Sequence, residues 1–468
     1  MTFNSLSFFF FAIIVILLFR SLPFKFGKVV LVVASYLFYG AVIPWYCLLL
    51  FVSTITDFYV AQLIDKAESK LVKKRYLGLS LFINLGLLFV FKYYDFAASS
   101  INILFDGWTF LNLPLIDVVL PVGISFYTFQ TLSYTIDVYR GEYKPTKDFL
   151  KFALYVSYFP QLVAGPVERA KNLMPQLERK QKVSFSKVNH GIERILWGLI
   201  KKVVVADRLA VFVNEVFANP ESSSSIVILT GIIAFSMQLY LDFSGYCDIA
   251  IGLSRILGIK LTENFAWPFS ASNPSIFWNK WNITLTHWFR DYFYKPIGGL
   301  QRKNLYRSIL NIIFFFIVVG FWHGASWNFF FFGLYNGILV AIYQYWRIFK
   351  RQSFLNSRFW IILFSALYMF IGIHISGFLF RAPSFDTAFA MFEGISRLTF
   401  NFNSSQLPFM VLAIVAYLIN FSRGFFMPKV RSGELTIPYY RPLTNLALLT
   451  FLLYSAFSFR SSFIYFQF

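Results

Sequence analysis

Ser308-Ile-Leu-Asn-Ile-Ile-Phe-Phe-Phe-Ile-Val-Val-Gly-Phe-Trp-His323-Gly-Ala-Ser-Trp327-Asn-Phe-Phe-Phe-Phe-Gly-Leu opens a run that meets no formal charge until Arg347. A helix needs roughly 20 apolar residues to cross a bilayer, so residues 308–346 hold two crossings. Within hydrocarbon the backbone must satisfy its own hydrogen bonds, which makes those crossings helices. The strict alternation of a membrane barrel is absent. His323 stands inside this run, flanked by Trp322, Gly324 and Trp327. Polar groups at such depth are expensive and tend to face a cavity or a partner. A neutral imidazole there can act as a base near neutral pH.

The rest of the chain reads the same way. Of its 468 residues 57% are hydrophobic and 14% charged, against about 25% charged in a soluble domain. Residues 118–136, 359–380 and 442–459 are further uncharged runs. The expected architecture is all-α and polytopic, with roughly 10–11 crossings and some partly inserted helices. Residues 2–19 have no basic residue before them and no small-residue cleavage site after them, so they read as a retained first crossing rather than a signal peptide.

The formal charge is +20. In a soluble protein that excess would point to nucleic acid; here the basic residues fall in short loops and report topology. Arg20, Lys25 and Lys28 follow the first crossing. Lys66, Lys70, Lys73, Lys74 and Arg75 follow the third, and Arg140, Lys144, Lys147 and Lys151 the fifth. Cytoplasmic odd-numbered exits place the N-terminus outside. Arg423, Lys429, Arg431 and Arg441 mark a late cytoplasmic loop; one crossing later, the C-terminal tail also lies outside. The expectation is a multi-pass protein of a bacterial cytoplasmic (inner) membrane, in contact with lipid and not with nucleic acid. Cys47 and Cys247 make no disulfide framework, and no metal-ligand spacing exists.

Residues 144–208 are the most polar part. Gly165-Pro166 breaks any helix there, which suggests a partial insertion. Further on, Trp278, Trp281, Leu285, Trp288 and Tyr292 recur at three and four and predict an amphipathic interfacial helix. On it Asn282 and His287 differ by roughly 140° and cannot share one reacting centre unless the helix breaks, whereas Thr286 shares the face of Asn282. Asp242 and Asp248 lie in the apolar stretch Gln238-Leu-Tyr-Leu-Asp242-Phe-Ser244-Gly-Tyr-Cys-Asp248. They are read as acid–base or ion-site candidates, or as internal hydrogen-bonding groups, the latter preferred for Asp248. His374 reads as a packed histidine bonded to a nearby backbone carbonyl, and His190 as solvated.

Several stretches together resemble the membrane-bound O-acyltransferase family, above all its bacterial branch that acetylates alginate and peptidoglycan, with the teichoic acid D-alanyl transferase as a cousin. They are Leu120-Pro-Val-Gly-Ile-Ser-Phe-Tyr-Thr-Phe129, Ile136-Asp-Val-Tyr-Arg-Gly141, Ala164-Gly-Pro-Val-Glu-Arg169, Tyr240-Leu-Asp-Phe-Ser-Gly-Tyr246, Phe277-Trp278, Trp288-Phe-Arg-Asp-Tyr292 and Trp322-His-Gly324. The resemblance covers nearly the whole chain, residues 1–468, as a single membrane domain, and implies helices around a central tunnel. It makes His323 the essential histidine. Many relatives carry a second histidine where this chain has Asn282, which implies that Asn282 positions an acyl carbonyl instead of taking a proton. Trp281, Thr286, Asp242, Ser244, Arg290 and Trp322 become candidates for the tunnel lining; no catalytic role passes to His287. The ending Phe463-Ile-Tyr465-Phe-Gln-Phe468 is similar to an acyl-transfer tail (residues 461–468), in which Tyr465 would carry the acyl group.

The resemblance implies an O-acetyltransferase with no bound cofactor and no metal. Cytoplasmic acetyl-CoA would be the donor. An extracytoplasmic acetyltransferase- or esterase-like protein would be the partner and a polysaccharide the acceptor. A thiol has a pKa near about 8.5 and a phenol near about 10, and a sugar hydroxyl is less acidic still, so each handover goes to a poorer leaving group. Three rivals stand beside this reading: D-alanyl transfer to teichoic acid, a long-chain lipid acyltransferase, and a transporter or flippase for a glycan or lipid precursor. The last would show matched inverted halves, and none are visible.

Overall fold

The helix Leu6–Ser21 shows how these residues select a bilayer. Ser5 starts it by accepting the Phe8 N–H at 3.2 Å. Phe8, Ala12, Val15 and Phe19, spaced as one helical face, are buried, while Phe10, Ile13, Ile14 and Leu17 on the other face are exposed. A helix apolar all round would be a liability in water; in lipid both faces are matched.

The computed structural model describes residues 3–41, 43–105, 112–300, 304–349, 358–382 and 384–426. Those residues form helices and connecting loops, with no strand among them. The crossing expected over 442–459 and the tail with Tyr465 lie outside them. Among the described residues, Tyr46–Lys66, Lys70–Leu104, Ser225–Leu257 and Leu305–His323 are long and apolar enough to cross a membrane. Leu6–Ser21, Met369–Arg381 and Leu407–Ser422 are shorter apolar helices. The chain divides into two compact units, Met1–Ile195 with Ile249–Thr262, and Leu196–Asp248 with Glu263–Phe468.

In the first unit, polar side chains join helices that lipid alone would not drive together. Asp57 of Tyr46–Lys66 accepts from Ser80 at 2.5 Å, from Asn84 at 3.0 Å and from Thr135 at 3.1 Å. The same unit corrects one expectation. The run 118–136 is not helical throughout: its helix is Ile124–Tyr139. Pro121 lacks an N–H, and Gly123 sits at φ +81°, so the extended chain turns into a helix only there. The Gly165-Pro166 segment is a broken, buried insertion. The helix Phe149–Ser157 gives way to single turns at Phe159–Leu162 and Ala170–Leu173. A Cβ on Gly165 would lie 2.3 Å from the Gln161 Cα. Glu168 secures the turn by accepting from the backbone N–H and hydroxyl of Thr262 and from Asn172.

In the second unit, the uncharged run forms two helices, Leu305–His323 and Trp327–Phe349, of which the first is among those long and apolar enough to cross a membrane. Glycines bring their backbones together. A Cβ on Gly320 would sit 2.2 Å from the Phe329 carbonyl oxygen, and one on Gly333 2.4 Å from that of Phe316. Small residues at a helix contact permit this approach where packing, not water, drives association. The hairpin fixes His323 at the last turn of its helix.

Candidate functional site

The segment predicted as one amphipathic helix is two. Asn273 caps Pro274–Lys280 by accepting the Ile276 N–H at 2.9 Å. Trp281 then leaves the helix, and Asn282 adopts the left-handed conformation at φ +41° and ψ +56°. A second helix, Ile283–Phe289, follows and runs into a π-helical turn, Arg290–Tyr294. Asparagine is among the few side chains that tolerate this backbone region. The break is what brings Asn282 to His323.

Asn282 and His323 line one small chamber of about 20 Å³. Its other walls include Trp278, Trp281, Thr286 and Phe316. Asn282 is only 2% exposed. Among the described residues neither its amide nitrogen nor its carbonyl oxygen has a hydrogen-bond partner. A buried amide with no partner costs of the order of 1–3 kcal/mol. Such costs persist at positions used for something other than stability. A second chamber of about 40 Å³ has Ser236, Ser376, Phe269 and Phe380 in its walls. His323, Trp278 and Trp281 belong to both chambers.

His323 is buried at the carboxyl end of Leu305–His323. The rings of Trp322, Phe380 and Phe332 lie 4.9, 5.2 and 5.6 Å from its own. Aromatic edges therefore hold the imidazole between the two chambers.

The other predicted candidates fall in several places. Trp281 lines both chambers and Thr286 the smaller one. Trp322 is buried beside His323 but is not among the lining residues. Asp242 belongs to an ion cluster. A π-helical turn, Ile200–Ala206, aims Lys202 between Asp207 and Asp242, each 2.9 Å from its ammonium nitrogen. Asp248, read as an internal hydrogen-bonding group, pairs with Lys201 at 2.6 Å. Ser244 is buried on the same long helix. Arg290 faces outward and clasps its neighbour Asp291 at 3.0 and 3.1 Å. Partial burial pushes the Asp291 carboxyl up, but Arg290 and Lys295 more than reverse this and hold it well below the usual carboxylate range. His287 is half-buried and lines neither chamber.

The sequence reading missed two features. His374 meets a side chain rather than a backbone carbonyl: its Nδ1 lies 2.9 Å from the Ser236 hydroxyl, and Ser236 is a wall of the larger chamber. No local motif announces a pair 138 residues apart. Asn264, which holds the start of Ile283–Phe289, was also passed over; its partners are known only once the loops are seen together.

The family model of the membrane-bound O-acyltransferases matches residues 8–382. This chain belongs to that family. As a membrane-bound O-acyltransferase it is similar to the probable alginate O-acetylase AlgI of Pseudomonas aeruginosa, with 34% identity over 82% of this chain and 71% of the relative. It is equally similar to the peptidoglycan O-acetyltransferase of Helicobacter pylori, with 34% identity over 80% and 74% of the two chains. The teichoic acid D-alanyltransferase of Bacillus subtilis stands further off, at 26% over 59% and 74%. The chain is therefore a multi-pass membrane acyltransferase.

Proposed function

We propose that this acyltransferase moves an acetyl group from cytoplasmic acetyl-CoA to an extracytoplasmic polysaccharide, through an ester on Tyr465. His323 acts as the general base and Asn282 as the group that holds the acyl carbonyl. The observation that carries this reading is the buried, unpartnered amide of Asn282 in the chamber it shares with His323. An amide N–H free of protein partners is available to the oxygen on which charge develops during acyl transfer.

The step balances without an outside reagent. His323 takes the proton of the phenol as its oxygen attacks the thioester carbonyl. Negative charge gathers on the carbonyl oxygen, where the Asn282 amide donates. The carbon–sulfur bond then breaks, and the imidazolium returns its proton to the departing thiolate. The resulting ester delivers acetyl to a partner of acetyltransferase or esterase type outside the cytoplasm, which places it on a glycan hydroxyl. The greater identity to alginate and peptidoglycan O-acetylases than to the D-alanyltransferase supports acetyl over D-alanyl. The basic loops support extracytoplasmic termini in a protein of the bacterial inner membrane.

The test is the release of free thiol from acetyl-CoA by the purified chain in micelles. His323→Ala should abolish it, and Asn282→Ala should lower the rate by about 10²-fold or more, as loss of an oxyanion donor does. Undiminished release from Asn282→Ala would remove the carbonyl-holding role. Undiminished release from His323→Ala would mean another group takes the proton. Mass spectrometry of envelope glycans with and without the protein identifies the acceptor.

A further inference from the structure

Asn282 occupies the position before a helix, where asparagine is among the best capping residues. Ordinarily its side-chain oxygen would accept the N–H of the second or third helical residue. Here it makes no such bond. The left-handed backbone of Asn282 departs from the extended conformation of a capping residue, and the first two N–H groups of the helix are served from another loop. The Ile283 N–H donates to the Asn264 backbone carbonyl at 2.9 Å. The Thr284 N–H and the Thr284 hydroxyl donate to the Asn264 side-chain oxygen at 3.1 and 2.8 Å. Asn264 is itself 1% exposed, and its amide nitrogen rests on the Cys247 sulfur at 3.5 Å. A further bond from the Ala266 N–H to the Lys280 carbonyl, at 3.0 Å, ties the same loop to the residues just before the break.

We propose that Asn264 is a positioning residue for acyl transfer: by capping the Ile283–Phe289 helix from another loop it holds the left-handed turn that presents the Asn282 amide to the chamber. The proposal rests on the role given above to Asn282. Two demands conflict at that residue. The helix start needs an acceptor, and the chamber needs an uncommitted amide. A single side chain cannot meet both, and Asn264 supplies the acceptor from another loop. It also fixes the left-handed turn from its far side, because residues 283 and 284 are both held. When Asn264 loses its side-chain oxygen, the turn at residues 282–284 loses the acceptor that holds it, and the Asn282 amide is no longer fixed in the chamber.

The experiment is a double-mutant cycle on the full-length chain in micelles, read as thiol release from acetyl-CoA across donor concentrations. Asn264→Ala should lower the maximal single-turnover rate of thiol release by about tenfold or more, a part of what losing the oxyanion donor itself costs, with little change in the acetyl-CoA concentration that gives half that rate. Asn264→Asp keeps an acceptor oxygen and should restore most of the rate. In an Asn282→Ala background, Asn264→Ala should cause no further loss, because no amide remains to be positioned. Losses that multiply across the two sites would overturn the proposal, as would an Asn264→Asp variant no faster than Asn264→Ala. Thermal melting of each variant in the same micelles identifies any loss that comes from unfolding, and the rescue by Asn264→Asp is judged between folded variants. The parent reading fails separately: Asn282→Ala alone would then turn over at the normal rate.

Discussion

At the scale of single residues, the polar groups of the second unit divide by whether their bonding is complete. Asp242 and Asp248 are matched by lysines, and the Asn282 amide has no partner among the described residues. His374 lies between these cases. One nitrogen meets the Ser236 hydroxyl, which also donates to the Ile232 carbonyl at 3.1 Å. Asparagine can offer a hydrogen-bonding atom where the imidazole Nδ1 stands, and leucine cannot. His374→Leu should therefore lower the melting temperature in micelles by the equivalent of about 1 kcal/mol, with His374→Asn close to the parent; equal melting of the two would show that the bond contributes nothing. His323 was legible in the sequence as an imidazole in an uncharged run, and Asn282 only through the position it shares with a family histidine. Asn264 was not legible, because its work is done on residues 283 and 284, reached through a turn rather than a periodicity.

At the scale of elements, the charge-free run foretold two crossings, and two helices stand there. Composition reads such features well because the cost of charge in hydrocarbon is large. The aromatic spacing at 278–292 foretold a continuous helix and was wrong at one point, the left-handed turn at Asn282. Periodicity counts which faces are apolar; it does not register a single residue whose backbone reverses hand. The run 118–136 misled in the same way, through Pro121 and Gly123. The glycine contact of the His323 hairpin carries its own prediction. Gly333→Ala forces a methyl to within 2.4 Å of the Phe316 carbonyl oxygen, so the helices must separate. Overpacking of this kind costs about 1–3 kcal/mol. Thiol release should fall steeply and melting occur earlier, whereas Gly78→Ala, with open space around its Cβ, should change neither. A Gly333→Ala protein with full rate would show that the hairpin's spacing does not hold His323 in place.

At the scale of the whole molecule, the proposed relay joins a buried imidazole to a phenol near the end of the chain. Full-length Tyr465→Phe should stay folded and still bind acetyl-CoA, yet carry no stable acetyl label and leave envelope glycans unacetylated. Label that persists on the variant, located by peptide mapping, would assign the carrier to another residue. The membrane class was legible because uncharged apolar runs recur along the chain. The family was legible because its motifs are spread along the chain, and they fall within the matched residues 8–382. What composition could not give is the fastening of each unit. Asp57 with Ser80, Asn84 and Thr135 is a bond network among three helices, and such partners emerge only from the packing.

Trp278 and Trp281 bound the smaller chamber and the larger one alike. They form a party wall, and a wall of two indoles cannot yield to one side without moving on the other. An occupant that shifts either indole alters the shape offered to the neighbouring room. By thermodynamic reciprocity the affinities of two such occupants would then be linked to the same degree in both directions.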